Sequence, residues 1–301
     1  MKHSKLFNLC PFHKAGNHHQ QDYTLKPING LKPDEYVQCS YCKVVVSLNA
    51  KSTTYEENYF ATEYSSQYGK SYLQDKTNIQ KRMKWRLDQL EKHTTTKFDL
   101  NHGDENRQQQ STEKPQLLEI GSAAGFFLEL CNDLGFHATG WEISQQMTNY
   151  ANSKGWETIQ GGFLRLSHNY HKNFALVAAF YVIEHFHDQY LLWKNITKLL
   201  KPGGYLLLSL PSSAGPVFKF NKKSWAQGHP RDHFVDYNPL ALKKIGRMFG
   251  FSLILAKSEG VHPHRFPLGK SLPFSFIYRM YQKLKPFSDT LFVILQKNEH
   301  N

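Results

Sequence analysis

Strand-like apolar segments alternate with helical patterns from Pro115 onward, and this alternation constrains the fold more than any other feature of the sequence. In the strand-like segments aliphatic residues follow one another, whereas in the helical ones they recur every three or four positions. Such alternation is typical of βαβ units, in which helices cover a mostly parallel sheet. We predict strands near 116–120, 138–142, 157–160, 174–179, 204–210, 251–257 and 289–296, and helices near 124–134, 145–154, 189–200, 238–249 and 274–284.

The composition is typical of a globular protein in a reducing compartment. Hydrophobic residues make up 40% of the 301 positions and charged residues 21%, so the chain can bury a core. The longest apolar run, residues 174–183, is too short for a transmembrane segment, and the first residues show no signal-peptide pattern. Because only four cysteines occur, we expect a cytoplasmic protein.

The net charge of +12 leaves several interpretations open. A basic chain can bind nucleic acid, an anionic membrane or an anionic substrate. It can also reflect compositional bias, which we favour because the lysines and arginines are scattered and form no long block.

A turn of small residues follows the first of these strands, in the sequence LLEIGSAAGFFLEL at residues 117–130. Gly121, Ala123 and Gly125 leave backbone N–H groups free at the start of a helix and let a ligand approach closely. A dinucleotide site has the spacing G-x-G-x-x-G and binds a pyrophosphate there. Here the spacing differs, and Glu119 would repel a phosphate. These residues favour a ligand with a cationic amine, such as S-adenosylmethionine, which carries an ammonium and a sulfonium and no phosphate.

A second acidic residue, Glu142, ends the next predicted strand, HATGWE. It lies 21 residues after Gly121, and an acidic side chain at about this distance binds ribose hydroxyls in dinucleotide sites. Both carboxylates therefore fall at the carboxyl ends of predicted neighbouring strands, where open α/β sheets bind their ligands.

Three further motifs follow this turn in order: LVAAFYVIEHFHD at 176–188, LLKPGGYLLLSLP at 199–211 and HPRDHFVDYNPLALKKIGRMFGFSL at 229–253. Together with the turn they resemble class I S-adenosylmethionine-dependent methyltransferases. The likeness is closest to the bacterial group that includes ubiquinone-biosynthesis O-methyltransferases and sugar methyltransferases. Ala123 departs from the family pattern, since many members have glycine there.

The resemblance implies an α/β fold with a Rossmann-like, doubly wound sheet of seven strands. The last strand is antiparallel, and helices cover both faces. The cofactor is expected to contact a set of residues around the turn and the strand ends. These are Tyr59, Glu119, Gly121, Ser122, Ala123, Gly125, Glu142, Ile143, Phe163, Phe180 and Tyr181.

Two short motifs near the amino terminus predict a metal site. Cys10 and His13 form C-x2-H, and Cys39 and Cys42 form C-x2-C. Four nitrogen and sulfur ligands in two such pairs suit tetrahedral zinc, and a filled set of four implies a structural rather than a catalytic ion. Many relatives have a small amino-terminal zinc-binding segment. His18 or His19 could replace His13 as the fourth ligand.

We predict three regions: a zinc-binding segment at 1–50, a helical cap or lid with a polar linker at 51–114, and the methyltransferase domain at 115–301. The tyrosine-rich sequence at 54–72 lies in the second region. Comparable segments cap the cofactor in relatives, which makes Tyr59 a candidate near its methionine end. The alternative is simple aromatic packing at the sheet edge.

His185 and His233 are the predicted catalytic residues. His185 follows the strand at 174–179, and His233 lies in a segment that resembles a substrate-side loop. Histidine is the natural general base near neutral pH, although an orienting role is the alternative. Some ubiquinone-pathway relatives are thought to use a metal near the pair that corresponds to Glu184 and His185, so a metal site is a further alternative.

The sequence therefore predicts methyl transfer to a small-molecule or sugar-like acceptor. A nucleic-acid methyltransferase is disfavoured because no N/D-P-P-Y/F motif follows the fourth strand, and a nicotinamide-dependent oxidoreductase is disfavoured by Glu119. A non-enzymatic binding module of the same fold stays open.

The aromatic and basic segment at 272–287 could be a packed helix, or it could contact an acceptor or an anionic membrane surface through Arg279 and Lys283.

Overall fold

A computed structural model describes residues 10–13, 23–53, 64, 69–94, 114–166, 173–260, 276, 280 and 288–299. The strands are β1 Leu25–Pro27, β2 Tyr36–Cys39, β3 Val45–Ser47, β4 Gln116–Ile120, β5 His137–Glu142, β6 Thr158–Gln160, β7 Phe174–Phe180, β8 Leu200–Pro211, β9 Val235–Asp236, β10 Phe251–Gly260 and β11 Thr290–Lys297. The helices are α1 Lys76–His93, α2 Phe126–Asp133, α3 Gln145–Ser153, α4 Gln189–Leu199, α5 Pro216–Phe220, α6 Lys222–Gln227 and α7 Pro239–Met248.

Seven strands form one sheet in the order β10-β11-β8-β7-β4-β5-β6. Strand β4 is parallel to β5 and β7, β5 is parallel to β6, and β10 and β11 are antiparallel. Residues 174–179 of β7 are all buried, as expected for a central strand covered by helices on both faces. The predicted fold class, a Rossmann-like seven-stranded sheet with an antiparallel last strand, is confirmed.

A second, four-stranded sheet was not expected from the sequence. Its order is β1-β2-β3-β9, with β1, β2 and β3 joined antiparallel. Val45 and Val46 of β3 pair with Asp236 and Val235 of β9. The amino-terminal segment therefore shares a sheet with a strand from far along the chain.

Packing groups the chain into two compact units. The first consists of residues 1–53, 181–197 and 208–298, and the second of residues 54–180, 198–207 and 299–301. The small sheet lies in the first unit, and β4 to β7 with α1 to α3 lie in the second. The domain boundaries expected at residues 50 and 114 stay a prediction.

Helix α1 has a buried stripe at helical spacing and packs against α2. The stripe includes Ile79, Met83, Leu87 and Leu90, which recur every three or four positions. Arg86 is buried among them, at 3% exposure. Burying a charged group in such a stripe costs free energy unless another group compensates its charge, so Arg86 is expected to have a compensating partner nearby.

Several predictions fall on residues outside the described set. Tyr59 and most of the tyrosine-rich sequence belong to this group, as do Arg279 and Lys283. Within residues 272–287 only Phe276 and Met280 are described, and both are helical and exposed. Among the described helices, none has the length and apolar character needed to cross a membrane.

Candidate cofactor site, histidine cluster and metal centre

The small-residue turn between β4 and α2 has three residues in the left-handed region. Gly121, Ala123 and Gly125 have φ values of 73°, 45° and 78°. At Gly125 an added Cβ would lie 3.0 Å from the Trp156 ring and 3.1 Å from Ala151 Cβ, so close packing requires glycine there. Ala123 adopts a conformation that costs an L-residue about 1–2 kcal/mol. Alanine at position 123, where many family members have glycine, is therefore accommodated at the cost of backbone strain.

Glu142 at the end of β5 anchors this turn. Its Oε2 accepts a hydrogen bond from the Ala123 amide at 2.8 Å, and its Oε1 accepts one from the Ser144 amide at 2.7 Å. A carboxylate has about four acceptor positions, so two remain for a ligand such as a ribose. The side chain is 3% exposed, and its burial raises the pKa of Glu142 despite these amide bonds.

Glu119 in β4 is the least satisfied acid of the second unit's described residues. It is 2% exposed, and its Oε2 has no hydrogen-bond partner in the described part of the chain. Burial raises the pKa of Glu119 well above its usual range, Arg86 lowers it and Glu142 raises it further. A buried carboxylate oxygen without a partner is costly, and a cationic ligand group would satisfy it.

Arg86 is a member of this site that the sequence analysis missed. Its guanidinium carbon lies 4.1 Å from the centre of the Phe180 ring, and its charge acts on Glu119. Phe180 ends β7 and contacts Phe127 edge to face at 5.2 Å. The available signal was a cation on the apolar stripe of α1, three positions after Met83.

The other predicted cofactor residues differ in exposure. Ser122 is buried, and its Oγ has no partner in the described part of the chain. Phe163 is buried with its ring edge to face against Trp141 at 5.6 Å. Ile143 is half exposed. Tyr181 belongs to the first unit, where it has a φ of 57° and donates a hydrogen bond to Glu259 Oε2 at 3.3 Å.

The first unit contains a cluster of histidines and acids. His185 Nδ1 lies 3.1 Å from Asp232 Oδ2. The His233 ring stands edge to face with the His185 ring at 4.7 Å. Glu184 is 1% exposed, and neither of its carboxylate oxygens has a hydrogen-bond partner in the described part of the chain. The two predicted catalytic histidines therefore lie in contact.

The surroundings shift the pKa values of His185 and His233 in opposite directions. Burial lowers the pKa of His233 to about 4, and the neighbouring His185 and His229 add to this. Burial also opposes the charge of His185, but its contacts with Asp232 and Glu184 raise its pKa overall. A pair of groups with pKa values pushed apart is a signature of acid–base sites.

Glu184→Gln should stabilise the protein at pH 8 but not at pH 4. Burial raises the pKa of Glu184 from 4.5 to about 7. The native state therefore prefers the protonated acid, and stability is lost as pH rises from about 4.5 to about 7. Removing the ionisable group should recover about 1–3 kcal/mol above pH 7. Thermal unfolding at both pH values tests this, with the exposed Glu299→Gln as the control. An equal shift at both pH values would show an effect of packing instead.

The four predicted zinc ligands converge. Suitable donor atoms of Cys10, His13, Cys39 and Cys42 all lie within 4.8 Å of one another, and all four residues are buried. The Cys10 and Cys42 sulfurs are 3.6 Å apart, and the Cys42 amide donates to Cys39 Sγ at 3.4 Å. Lys43, with a φ of 67°, completes the tight turn after the second cysteine.

The donor set fits a zinc ion on chemical grounds. Both ring nitrogens of His13 are buried without a hydrogen-bond partner in the described part of the chain. Hydrogen bonding with Cys39, together with burial, raises the pKa of Cys10, while the bond from Cys10 lowers the pKa of Cys39. Cys39 therefore ionises at the expense of Cys10, and a divalent cation would stabilise both as thiolates.

A family model described as a methyltransferase domain matches residues 80–256, which is more than half of the chain. The chain belongs to this methyltransferase family. The expected likeness is confirmed at this level, and the narrower likeness to ubiquinone-biosynthesis and sugar methyltransferases stays a prediction.

Solved structures with the methyltransferase fold are similar at low identity. A chain of the Haloferax volcanii complex between the Trm112 methyltransferase activator and a methyltransferase is 15% identical, with a TM-score of 0.52, over 75% of this chain and 94% of that one. An S-adenosylmethionine-dependent methyltransferase from Archaeoglobus fulgidus is 18% identical, with a TM-score of 0.52, over 79% of this chain and 100% of that one. These likenesses show the fold alone. A sequence comparison with curated proteins finds no match.

Within the methyltransferase family match lie both the turn residues and the histidine cluster. In the second unit, the structure brings Glu119 and the turn together with Glu142, at the ends of the paired strands β4 and β5. In the first unit it brings His185 and His233 together and adds Asp232 beside them. Asp232 was not singled out by the sequence analysis, although it directly precedes His233 in the chain.

Proposed function

We propose that this methyltransferase transfers a methyl group from S-adenosylmethionine to an oxygen or carbon atom of a small-molecule or sugar-like acceptor. The observation that carries the proposal is the buried Glu119 oxygen, which has no hydrogen-bond partner among the described residues and lies beside a turn of small residues in a methyltransferase domain. When bound, the cofactor supplies an electrophilic methyl group on a sulfonium. The protein's own contribution is to bind, orient and move a proton.

Three charged side chains from α1, β4 and β5 have proposed parts in binding the cofactor. Glu119 binds the ammonium, because its Oε2 has no hydrogen-bond partner among the described residues and a cation beside it would favour the ionised carboxylate that burial disfavours. Arg86 binds the carboxylate of the same amino-acid group, because a guanidinium recognises carboxylates in a bidentate manner. Glu142 binds the ribose hydroxyls with the two acceptor positions that the turn leaves open.

His185 is proposed as the base that removes the acceptor's proton. Oxygen and carbon acceptors must lose a proton during methylation, and a positioned histidine is suited to this. Donor atoms of Glu184, His185 and His233 are close enough for a metal ion. The carboxylate of Asp232, 3.1 Å from His185 Nδ1, would stabilise the imidazolium that forms when His185 takes a proton, and it is equally compatible with a metal ion on the other ring nitrogen.

A structural zinc held by Cys10, His13, Cys39 and Cys42 is part of the proposal. The convergence of the four donors supports it, as do the two ring nitrogens of His13, which have no hydrogen-bond partner among the described residues. The four cysteines are free and buried, and with zinc bound to three of them they suit a reducing compartment, so we propose a cytoplasmic location.

Calorimetry with S-adenosylhomocysteine and with NAD tests the cofactor assignment. We expect the first to bind and the second not to bind. Glu119→Gln should weaken S-adenosylhomocysteine binding by about 10- to 100-fold, because a charge-assisted hydrogen bond is worth about 1.5–3 kcal/mol. The exposed Glu157→Gln is the matched control and should bind as the unmodified protein does. Tight NAD binding, or an unchanged affinity of Glu119→Gln, would contradict the assignment.

A further inference from the structure

Asp232 is the one carboxylate among the described residues that forms an ion pair with His185. Its Oδ2 lies 3.1 Å from His185 Nδ1, and the two side chains are 15% and 18% exposed. Although burial works against ionisation, His185 and its neighbours hold the pKa of Asp232 at about 2. The aspartate is therefore charged near neutral pH. Its Oδ2 lies beside Nδ1 of the imidazole as an ion-pair contact, although the ring N–H is not aligned with it as a hydrogen bond.

The amino-terminal segment holds Asp232 in place. Thr53 Oγ1 donates a hydrogen bond to Asp232 Oδ2 at 3.1 Å. On either side of it the backbone is fixed as well, because the Lys51 amide donates to the Arg231 carbonyl at 2.9 Å and the Ser47 amide to the Phe234 carbonyl at 3.0 Å. A carboxylate restrained by backbone hydrogen bonds on either side and by a hydroxyl can impose an orientation on its partner.

The segment that contains Asp232 is also hydrogen-bonded to the turn that carries His185. The Phe234 amide donates to the Glu184 carbonyl at 2.8 Å. The turn Ile183–His185 is held further by Gln189, whose amide donates to the Ile183 carbonyl at 2.8 Å and to the Phe186 carbonyl at 2.7 Å. The separation between Asp232 and His185 is thus set by backbone contacts and does not depend on two long side chains.

The other titratable groups of the cluster do not compete for His185 Nδ1. Glu184 neighbours it on the same turn, and within the described segments neither Glu184 oxygen has a hydrogen-bond partner. His233 meets it ring edge to ring face. The remaining carboxylate, Asp236, is 2.8 Å from His229 Nε2 and so is already paired.

We propose that Asp232 is a positioning residue, which holds His185 with Nδ1–H toward its carboxylate and leaves Nε2 as the nitrogen that takes the acceptor's proton. This inference rests on the proposed role of His185 as the base. The acceptor loses its proton to Nε2 and keeps the bonding electron pair for the new bond to carbon. The imidazolium shares Nδ1–H with Asp232, which stays ionised, and later releases the added proton to water.

Nuclear magnetic resonance of protein labelled with nitrogen-15 at its histidines tests this without knowledge of the acceptor. His185→Gln identifies the signals of His185 among the 16 histidines. In the unmodified protein we expect the neutral ring to carry its proton on Nδ1. Asp232→Asn should lower the pKa of His185 by about 1–3 units, because it removes an opposite charge in contact. Thr53→Val should lower it less, because the carboxylate remains but loses one restraint.

The exposed Asp34→Asn is the matched control and should leave the His185 signals unchanged. An unchanged His185 pKa and tautomer in folded Asp232→Asn would overturn the proposal. If that variant does not fold, a neutral His185 in the unmodified protein with its proton on Nε2 overturns it equally. A failure of the proposed function would appear elsewhere, as absent methyl transfer with the Asp232–His185 coupling intact.

Discussion

Cys39→Ser should remove the metal from the protein and unfold the small amino-terminal sheet. Cys39 ends β2, so in the proposed zinc site its sulfur would both bind the ion and fix the strand that joins β1 to β3. These strands have three or four residues each and bury few side chains of their own. The binding free energy of a structural zinc is folding free energy, on the order of 10 kcal/mol in small zinc-dependent peptides. Its loss therefore exceeds what such short strands can supply.

Elemental analysis measures the zinc content, and hydrogen exchange measures whether the small sheet unfolds. We expect one zinc per unmodified chain and none in Cys39→Ser, with amide protection lost in β1, β2 and β3 and retained in β4 and β7. Cys131→Ser is the matched control, because Cys131 is a buried cysteine of α2 outside the cluster. It should keep the full zinc content. A metal-free unmodified protein that protects the small sheet normally would contradict the assignment.

The large sheet was predictable because its signals are local. Strand β7 lies within the continuous apolar run at residues 174–183, and the turn after β4 is marked by Gly121 and Gly125 themselves. For the elements that lie within the described residues, the predicted bounds differ from the observed ones by a few residues at most, while the helix predicted at 274–284 stays a prediction. The main difference is that β8 begins at Leu200, four residues before the expected start, because the backbone at Lys201 to Gly203 already joins the sheet.

The small sheet was not predictable because its stability comes from distant contacts. Strands of three or four residues are too short to show an alternating pattern. Strand β3 completes its pairing with β9, which lies almost two hundred residues later in the chain. The cysteine spacing could indicate a metal, but it could not indicate which strand the metal segment would join.

The same distinction between local and distant signals applies to the candidate site. Glu119, Glu142 and His185 follow strands, so their type and position could be interpreted from the sequence. Arg86 and Asp232 act through partners far away in the chain, Glu119 for the first and His185 with Thr53 for the second. Only the fold shows that these charges meet.

His185→Gln should abolish methyl transfer while leaving the affinity for S-adenosylhomocysteine unchanged. Glutamine is similar in size to histidine and can hydrogen-bond to Asp232, but it cannot accept a proton near neutral pH. General-base catalysis contributes about 10²- to 10⁴-fold, so turnover should fall by about that factor. The cofactor residues Glu119 and Glu142 belong to the other compact unit, which is why we expect binding and turnover to separate.

Turnover is measured as the amount of S-adenosylhomocysteine formed from the cofactor. Panels of hydroxylated aromatic compounds and sugar nucleotides serve as the acceptors. The exposed His137→Gln is the matched control and should react at the unmodified rate.

The pH dependence adds an independent check on the base. Contacts with Asp232 and Glu184 raise the pKa of His185, so the unmodified enzyme should lose activity as pH falls below that raised value, where the imidazole is already protonated. Full turnover by His185→Gln, with the same acid limb in its pH profile, would show that another group removes the proton. His233, whose pKa lies near 4 and which is neutral at pH 7, would then be the next residue to replace.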